Sequence, residues 1–222
     1  MMELLYQDND LIAINKPSGL STLPEGWDSS KPHVRSIVEV DFGPLWIVHR
    51  LDKETSGVLL LARNAAAHKS LNDQFANRQI KKMYSALVFG HFPKTASCAL
   101  PLRINGDRRH RTTVDHVLGK PASTDFEAVE YIEDCGSWIN AYPKSGYTHQ
   151  IRFHCLSLGF PILGDPLYFT AESKTFSNQN SITRTMLHAS QITFTHPITN
   201  NQMTLSAPLP EDFQNAITSL IK

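Results

Sequence analysis

Cysteine is scarce in this chain: Cys98, Cys135 and Cys155 are the only three among 222 residues. The number is odd and no two form a C-x-x-C pair, so neither a disulfide framework nor a zinc site is indicated. Scattered thiols of this kind fit a reducing, cytoplasmic setting. Excess charge is missing too, since 21 Lys and Arg face 21 Asp and Glu for a formal net charge of zero. A protein that coats nucleic acid without selectivity needs surplus cations to neutralise phosphate, and this chain has none overall. A local basic cleft stays open, because the field depends on where the charges sit. Long apolar runs are also absent. Val58-Leu59-Leu60-Leu61-Ala62 is far too short to span a bilayer, and the N-terminus has no basic segment leading into an apolar stretch. The expectation is a soluble, cytoplasmic protein with no membrane partner, and a monomer by default. No Walker loop, G-x-G-x-x-G, G-x-S-x-G or H-E-x-x-H occurs, so neither a nucleotide cofactor nor a metal is implied.

What is present is globular material, 41% hydrophobic and 19% charged, which is enough for a core. The length suits one large domain or two small ones. No linker divides the chain, so a single domain over residues 1–222 is expected. Leu4–Tyr6 and Leu11–Ile14 read as hairpin strands turning at Asp8-Asn9-Asp10, and Ser21–Pro32 reads as a loop. His33–Val40 reads as a short helix, Val58–Ala62 as a strand buried on both faces, and Asn64–Gln79 as a helix capped by Asn64. Further strands are expected at Met83–Phe89, Phe126–Ile132, Trp138–Tyr142 and Ile192–His196, the last paired with Met203–Leu205. Asp134-Cys135-Gly136-Ser137 reads as a turn. Thr148–Leu158 reads as a helix with Thr148 as N-cap, and Glu211–Leu220 as a terminal helix. Strands outnumber helices without alternating with them, which predicts an α+β fold with a mixed, largely antiparallel central sheet and flanking helices and loops.

Four segments carry chemistry. His49-Arg50-Leu51-Asp52-Lys53-Glu54-Thr55-Ser56-Gly57 is a polar cluster set directly before a buried strand. An acid there can be held by the core while facing a cleft, so Asp52 is a candidate nucleophile or base and Arg50 a fork for phosphate or a base edge. By spacing alone, a polar loop with an incidental Arg–Asp pair is the better reading. In Lys81-Lys82-Met83-Tyr84, strand alternation puts Lys82 and Tyr84 on one face, a cation beside an aromatic ring that suits a stacked base and its phosphate; an ordinary surface strand is the plainer alternative. In His149-Gln150-Ile151-Arg152-Phe153-His154 a buried Arg152 needs a carboxylate partner, and Asp52 is a candidate. His149 and His154 stand five apart, which does not stack them as metal ligands. Arg108-Arg109-His110-Arg111 is the dense basic run; nucleic-acid contact and a solvated loop weigh equally there.

Together these segments resemble the RluA family of RNA pseudouridine synthases. Asn15-Lys16-Pro17-Ser18-Gly19 matches its early motif, and His49-Arg50-Leu51-Asp52 with Thr55-Ser56-Gly57 its catalytic motif. Lys82-Met83-Tyr84-Ser85-Ala86 matches the motif that carries its active-site tyrosine. His149 to His154 with Gly159, Pro161 and Ile162–Asp165 matches its third motif, and Leu187-His188-Ala189 near Phe194 and His196-Pro197 its last. Five motifs in the family's order outweigh the plainer reading of each one. The chain departs from the family at Ser145-Gly146-Tyr147, where Thr-Gly-Arg is usual, so a basic contact is missing there.

The resemblance implies a pseudouridine synthase fold, no cofactor, and RNA as partner, either ribosomal, transfer or both. It also implies that the small N-terminal RNA-binding domain of many relatives is absent. By the same resemblance Asp52 is the catalytic carboxylate, Tyr84 stacks on the extruded uracil, and Arg152 keeps Asp52 charged. Arg50 helps expel the base, Leu187 packs the pocket wall, and Lys82 and His149 complete the substrate contacts. Two other classes remain as alternatives: an N-glycosidase, which frees uracil, and a noncatalytic RNA-binding module, which leaves uridine unchanged.

Overall fold

The computed structural model of the chain describes residues 2–24, 31–109, 111–132 and 136–220. They fall into two compact units, one of residues 1–82 with 189–208 and one of residues 83–188 with 209–222.

In the first unit, β1 (Glu3–Gln7) and β2 (Leu11–Lys16) form the expected antiparallel hairpin. Its turn is shaped by Asp8, whose Oδ1 accepts the N–H groups of Asp10 and Leu11 at 2.8 and 2.9 Å. β2 lies antiparallel to β4 (Ser56–Ala62), with Leu11 opposite Ala62 and Lys16 opposite Gly57. Every residue of β4 is buried, as its unbroken apolar run predicts, and the short β3 (Trp46–Ile47) also pairs with it. Gly57 has φ +115°, and a Cβ there would lie 2.3 Å from the Ala189 carbonyl oxygen. Only glycine permits that approach. Ala189 belongs to β10 (Leu187–Thr195), which pairs with β11 (Gln202–Ser206), Thr193 opposite Thr204.

The unit also holds two helices, α1 (Val34–Phe42) and α2 (Ala65–Ala76), of which α2 packs against β3 and β4. Asn64 caps α2 as expected, its Oδ1 accepting from the Ala67 N–H at 2.9 Å. α2 buries Ala67, Leu71 and Gln74. The Gln74 amide donates to the Thr195 carbonyl at 2.8 Å and accepts the Thr195 N–H at 2.9 Å, so it caps the end of β10 as a neighbouring strand would. His196 Nε2 meets Asp8 Oδ2 at 2.7 Å while its Nδ1 accepts the Ile198 and Thr199 N–H groups. Those bonds require a neutral ring with the proton on Nε2 and tie the two hairpins together.

In the second unit the strand order is β5 (Lys81–Phe89), β9 (Gly136–Pro143), β8 (Lys120–Ile132), β6 (Thr95–Arg103) and β7 (Thr113–Val114). The β5–β9, β9–β8, β8–β6 and β6–β7 pairings are antiparallel. α3 (Gln150–Ser157) packs against β6, β8 and β9, and α4 (Ala171–Gln179) and α5 (Glu211–Leu220) complete the unit. Leu87, Phe92, Phe126, Ile139, Leu163 and Phe213 form its core.

The fold class is α+β, as expected, and the described residues include no helix long and apolar enough to cross a membrane. Two of the longer elements were not anticipated, nor were the two-residue strands β3 and β7. β6 carries Pro101 and a weak alternation of small residues, and α4 buries Ser173 and Ser177 rather than an apolar stripe. A third difference is the start of α3. Thr148 is not its N-cap: the helix begins at Gln150, and His149 holds the cap position at φ +57°. The Asp134–Ser137 turn lies partly outside the described residues, as do Cys135 and His110; Cys98 and Cys155 are buried and reduced.

Candidate active site

The first unit contributes the loop from Val48 to Thr55, which leads into β4 and carries Arg50, exposed, and Asp52, half-buried. Almost every backbone group around Asp52 is fastened. The Leu51 carbonyl accepts from Thr22 Oγ1 at 3.1 Å, and the Leu51 N–H donates back to the same oxygen at 3.3 Å. The Gly19 N–H donates to the Lys53 carbonyl at 2.9 Å, Ser18 Oγ donates to the Glu54 carbonyl at 2.7 Å, and the Asp52 carbonyl accepts the Thr55 N–H at 3.0 Å.

Lys16 completes the clamp. It is wholly inaccessible, and its ammonium donates to the carbonyls of Pro17, Leu20 and Lys53 at 2.8, 2.7 and 3.1 Å. An ammonium has three donors, and a buried one is tolerated only when they are engaged. The early motif therefore braces the loop that carries Asp52: Lys16, Ser18 and Gly19 hold residues 53 and 54, and Thr22 holds Leu51. Leu51 is an apolar anchor beneath the loop, 5% exposed.

His49 stacks on Phe75 with centroids 4.7 Å apart, and its Nε2 accepts the Leu60 N–H at 2.9 Å. Burial pushes its pKa down to about 3, and the Lys82 ammonium pushes in the same direction. Burial also lowers Lys82, to about 8. His49 is thus neutral when folded, whereas in the unfolded chain it takes a proton below about 6.5. The folded pKa is the lower one, so stability falls as pH drops from about 6.5 towards 3, by up to roughly 1.4 kcal/mol per pH unit. Urea unfolding at a series of pH values should show His49→Gln less acid-sensitive than the wild type, because Gln keeps an acceptor for Leu60 but gains no charge. Parallel pH profiles would refute this. His154, held at about 4 by burial, adds a slope of the same sign to both proteins.

The second unit contributes Tyr84, His149, Arg152 and Leu187. Arg152 is 3% exposed, and its guanidinium makes a two-pronged pair with Asp165, Nε to Oδ2 at 2.6 Å and Nη2 to Oδ1 at 2.7 Å. Its cationic carbon lies 5.1 Å from the centroid of the Tyr168 ring. Tyr168 is almost wholly buried; its Oη accepts the Thr112 N–H at 2.7 Å and meets His149 Nδ1 at 3.0 Å. The left-handed backbone of His149 is what turns its ring into that contact. Gln150 fixes the helix start: Oε1 accepts from Ser145 Oγ and the Tyr147 N–H, and Nε2 donates to the Ser123 carbonyl and Thr124 Oγ1. Tyr84 is half-buried on β5 opposite Ala141, and Leu187 is part of the core.

The first unit thus presents a half-buried carboxylate on a braced loop, and the second a guanidinium locked to Asp165. Comparison with known proteins decides the family. A family model described as RNA pseudouridylate synthase matches residues 10–157. The chain belongs to that family. Its members are isomerases, and the pseudouridine synthase reading of the fold and motifs holds. The dual-specificity RNA pseudouridine synthase RluA of Escherichia coli K12 is 40% identical over 206 residues, covering 92% of each chain. The protein of that name from Haemophilus influenzae is 39% identical over 207 residues, 93% of this chain and 92% of that one. Among solved structures, human RNA pseudouridylate synthase domain containing 1 superposes with a TM-score of 0.77 at 27% identity, covering 94% of this chain and 83% of that chain.

Three residues that hold the candidate site residues in place were not singled out in the sequence: Lys16, Asp165 and Tyr168. The signal for Asp165 was present, since a buried guanidinium demands a carboxylate and Asp165 follows Arg152 by only 13 positions. Lys16 lay in a matched motif but showed no sign of being buried. Tyr168 had no local signal.

Proposed function

We propose that this synthase isomerises particular uridines in ribosomal RNA, transfer RNA or both, with Asp52 as the catalytic carboxylate and the two units acting as one catalytic domain. In the overall change the bond from the ribose anomeric carbon to N1 of uracil breaks and a bond to C5 forms. C5 gives up its proton and N1 ends protonated, so nothing is oxidised or consumed. The observation that carries the assignment is the anchoring of Leu51, Lys53 and Glu54 by Thr22, Lys16, Gly19 and Ser18. That bracing fixes the backbone on both sides of Asp52 before substrate arrives, which is what a positioned carboxylate needs.

The target must leave its stack to be reached. In this reading Arg50, exposed beside Asp52, helps displace the base and Tyr84 stacks on it. Lys82 and His149 contact the substrate, and Leu187 backs the pocket. Asp165 holds the Arg152 guanidinium charged and in place through Nε and Nη2, and Arg152 is the basic member of the proposed set. The protein works as a cytoplasmic monomer. The names of the bacterial relatives, dual-specificity synthases, support more than one RNA target. Site-resolved pseudouridine mapping of total RNA with and without the gene tests the reading: defined uridines should lose the modification when the gene is removed. An unchanged map would overturn it. Release of free uracil from RNA would favour an N-glycosidase instead.

A further inference from the structure

The second unit carries an apolar projection that the catalytic reading does not use. Val117 and Leu118, on the connection from β7 to β8, are 89% and 68% exposed. Single exposed apolar side chains are ordinary, but two neighbours held in a fixed turn need a reason. This turn is fixed. Asp115 Oδ1 accepts the N–H groups of Val117 and Leu118, both at 2.9 Å, and the Asp115 carbonyl accepts the Gly119 N–H at 2.9 Å. The Asp115 N–H donates to the Pro101 carbonyl at 3.0 Å, and Arg103 pairs with Asp115 at 3.2 Å. A Cβ on Gly119 would lie 2.2 Å from the Asp115 carbonyl oxygen, so the turn is packed backbone against backbone and cannot fold its apolar pair away.

Its surroundings are cationic. Residues 103–120 hold five Lys or Arg against two Asp in a chain whose net charge is zero. Both acids are engaged by arginines, Asp107 by Arg111 and Asp115 by Arg103. Just beyond the turn, the Lys120 ammonium stands 6.0 Å from the centroid of the Tyr147 ring. Tyr147 is itself held by its N–H bond to Gln150 at the start of α3.

We propose that the Asp115–Gly119 turn, with Lys120 and Tyr147, is a second RNA contact, which grips the structured RNA flanking the target uridine. This deepens the RNA isomerase reading and rests on it. Apolar side chains wedge against a base step, an aromatic ring stacks, and a nearby ammonium takes a phosphate. The local charge excess is complementary to RNA.

The test uses the full chain, a Val117→Ser/Leu118→Ser variant and a Lys120→Ala variant, with total RNA from cells lacking the gene as the probe. All three proteins should melt alike, since these side chains are at the surface. Single-turnover pseudouridine formation is followed as enzyme concentration is varied. The apolar variant should need about tenfold more enzyme for half-saturation, with the plateau rate within about twofold. Lys120→Ala should weaken binding and reduce the salt slope by about one. Unchanged half-saturation in both variants overturns the proposal. So does a fall in plateau rate alone, which marks damage to the reaction centre. A variant that binds RNA normally but turns from dimer to monomer in light scattering assigns the turn to a second copy and overturns it too. If the wild type forms no pseudouridine, the isomerase reading fails, and gel shift of the same RNA still decides whether the turn contacts RNA.

Discussion

Asp52→Asn is expected to lower pseudouridine formation by roughly 10²–10⁴-fold while leaving RNA affinity within about twofold of wild type. The substitution is nearly isosteric. It keeps every backbone anchor of the loop, because Leu51, Lys53, Glu54 and the Asp52 carbonyl are held through main-chain atoms or through the side chains of Thr22, Ser18 and Lys16. What it removes is the negative charge and the basic oxygen that the proposal gives to breaking and remaking the glycosidic bond. Binding and chemistry should therefore separate. The measurement is single-turnover conversion on RNA lacking the modification, paired with an affinity titration of the same RNA. Retained conversion would remove Asp52 from the reaction. Conversion and affinity falling together, with a lowered melting temperature, would mean that the loop had collapsed and that Asp52 is a structural residue.

That separation follows from how the loop is built, and the building was only half legible in the sequence. The buried strand β4 was readable from its apolar run, and so was the polar cluster before it, because both are properties of adjacent residues. The Asn64 cap and the turn at Asp8 were readable for the same reason. Lys16 was not. A lysine in an Asn-Lys-Pro-Ser-Gly turn looks solvated, and its burial depends on three carbonyls converging from residues 17, 20 and 53. α3 misled in another way. Its buried residues are mixed, with Gln150, Arg152 and His154 inside beside Ile151 and Cys155, so the usual link between periodicity and burial is weak there. The start of the helix was misplaced because His149 adopts a left-handed backbone that favours its contact with Tyr168, a residue 19 positions away. Site geometry of this kind is set by tertiary contacts, and those are what a single sequence conceals.

The buried pair in the second unit should show the largest effect on stability. Asp165→Ala leaves the Arg152 guanidinium, 3% exposed, without its two-pronged partner, and breaking such a pair costs about 3–5 kcal/mol. For a chain of this size that is a fall in melting temperature on the order of 10 °C. Arg152→Ala should cost less, because the stranded carboxylate keeps two other donors: Asp165 Oδ1 also accepts the N–H groups of Leu167 and Tyr168 at 2.8 and 3.0 Å. An Asp165→Leu/Arg152→Met double variant, apolar and similar in volume, should recover part of the stability lost in Asp165→Ala, since it removes the buried guanidinium together with its carboxylate. None of these variants should isomerise RNA at the wild-type rate, because each one removes or loosens the guanidinium proposed to take part in the reaction. Urea unfolding of the three proteins at neutral pH gives the ranking. If Asp165→Ala unfolds within about 1 kcal/mol of wild type, or if Arg152→Ala proves the more damaging of the single changes, the guanidinium is not held as described. A stable double variant that still isomerises RNA at full rate would show that Arg152 serves the fold alone.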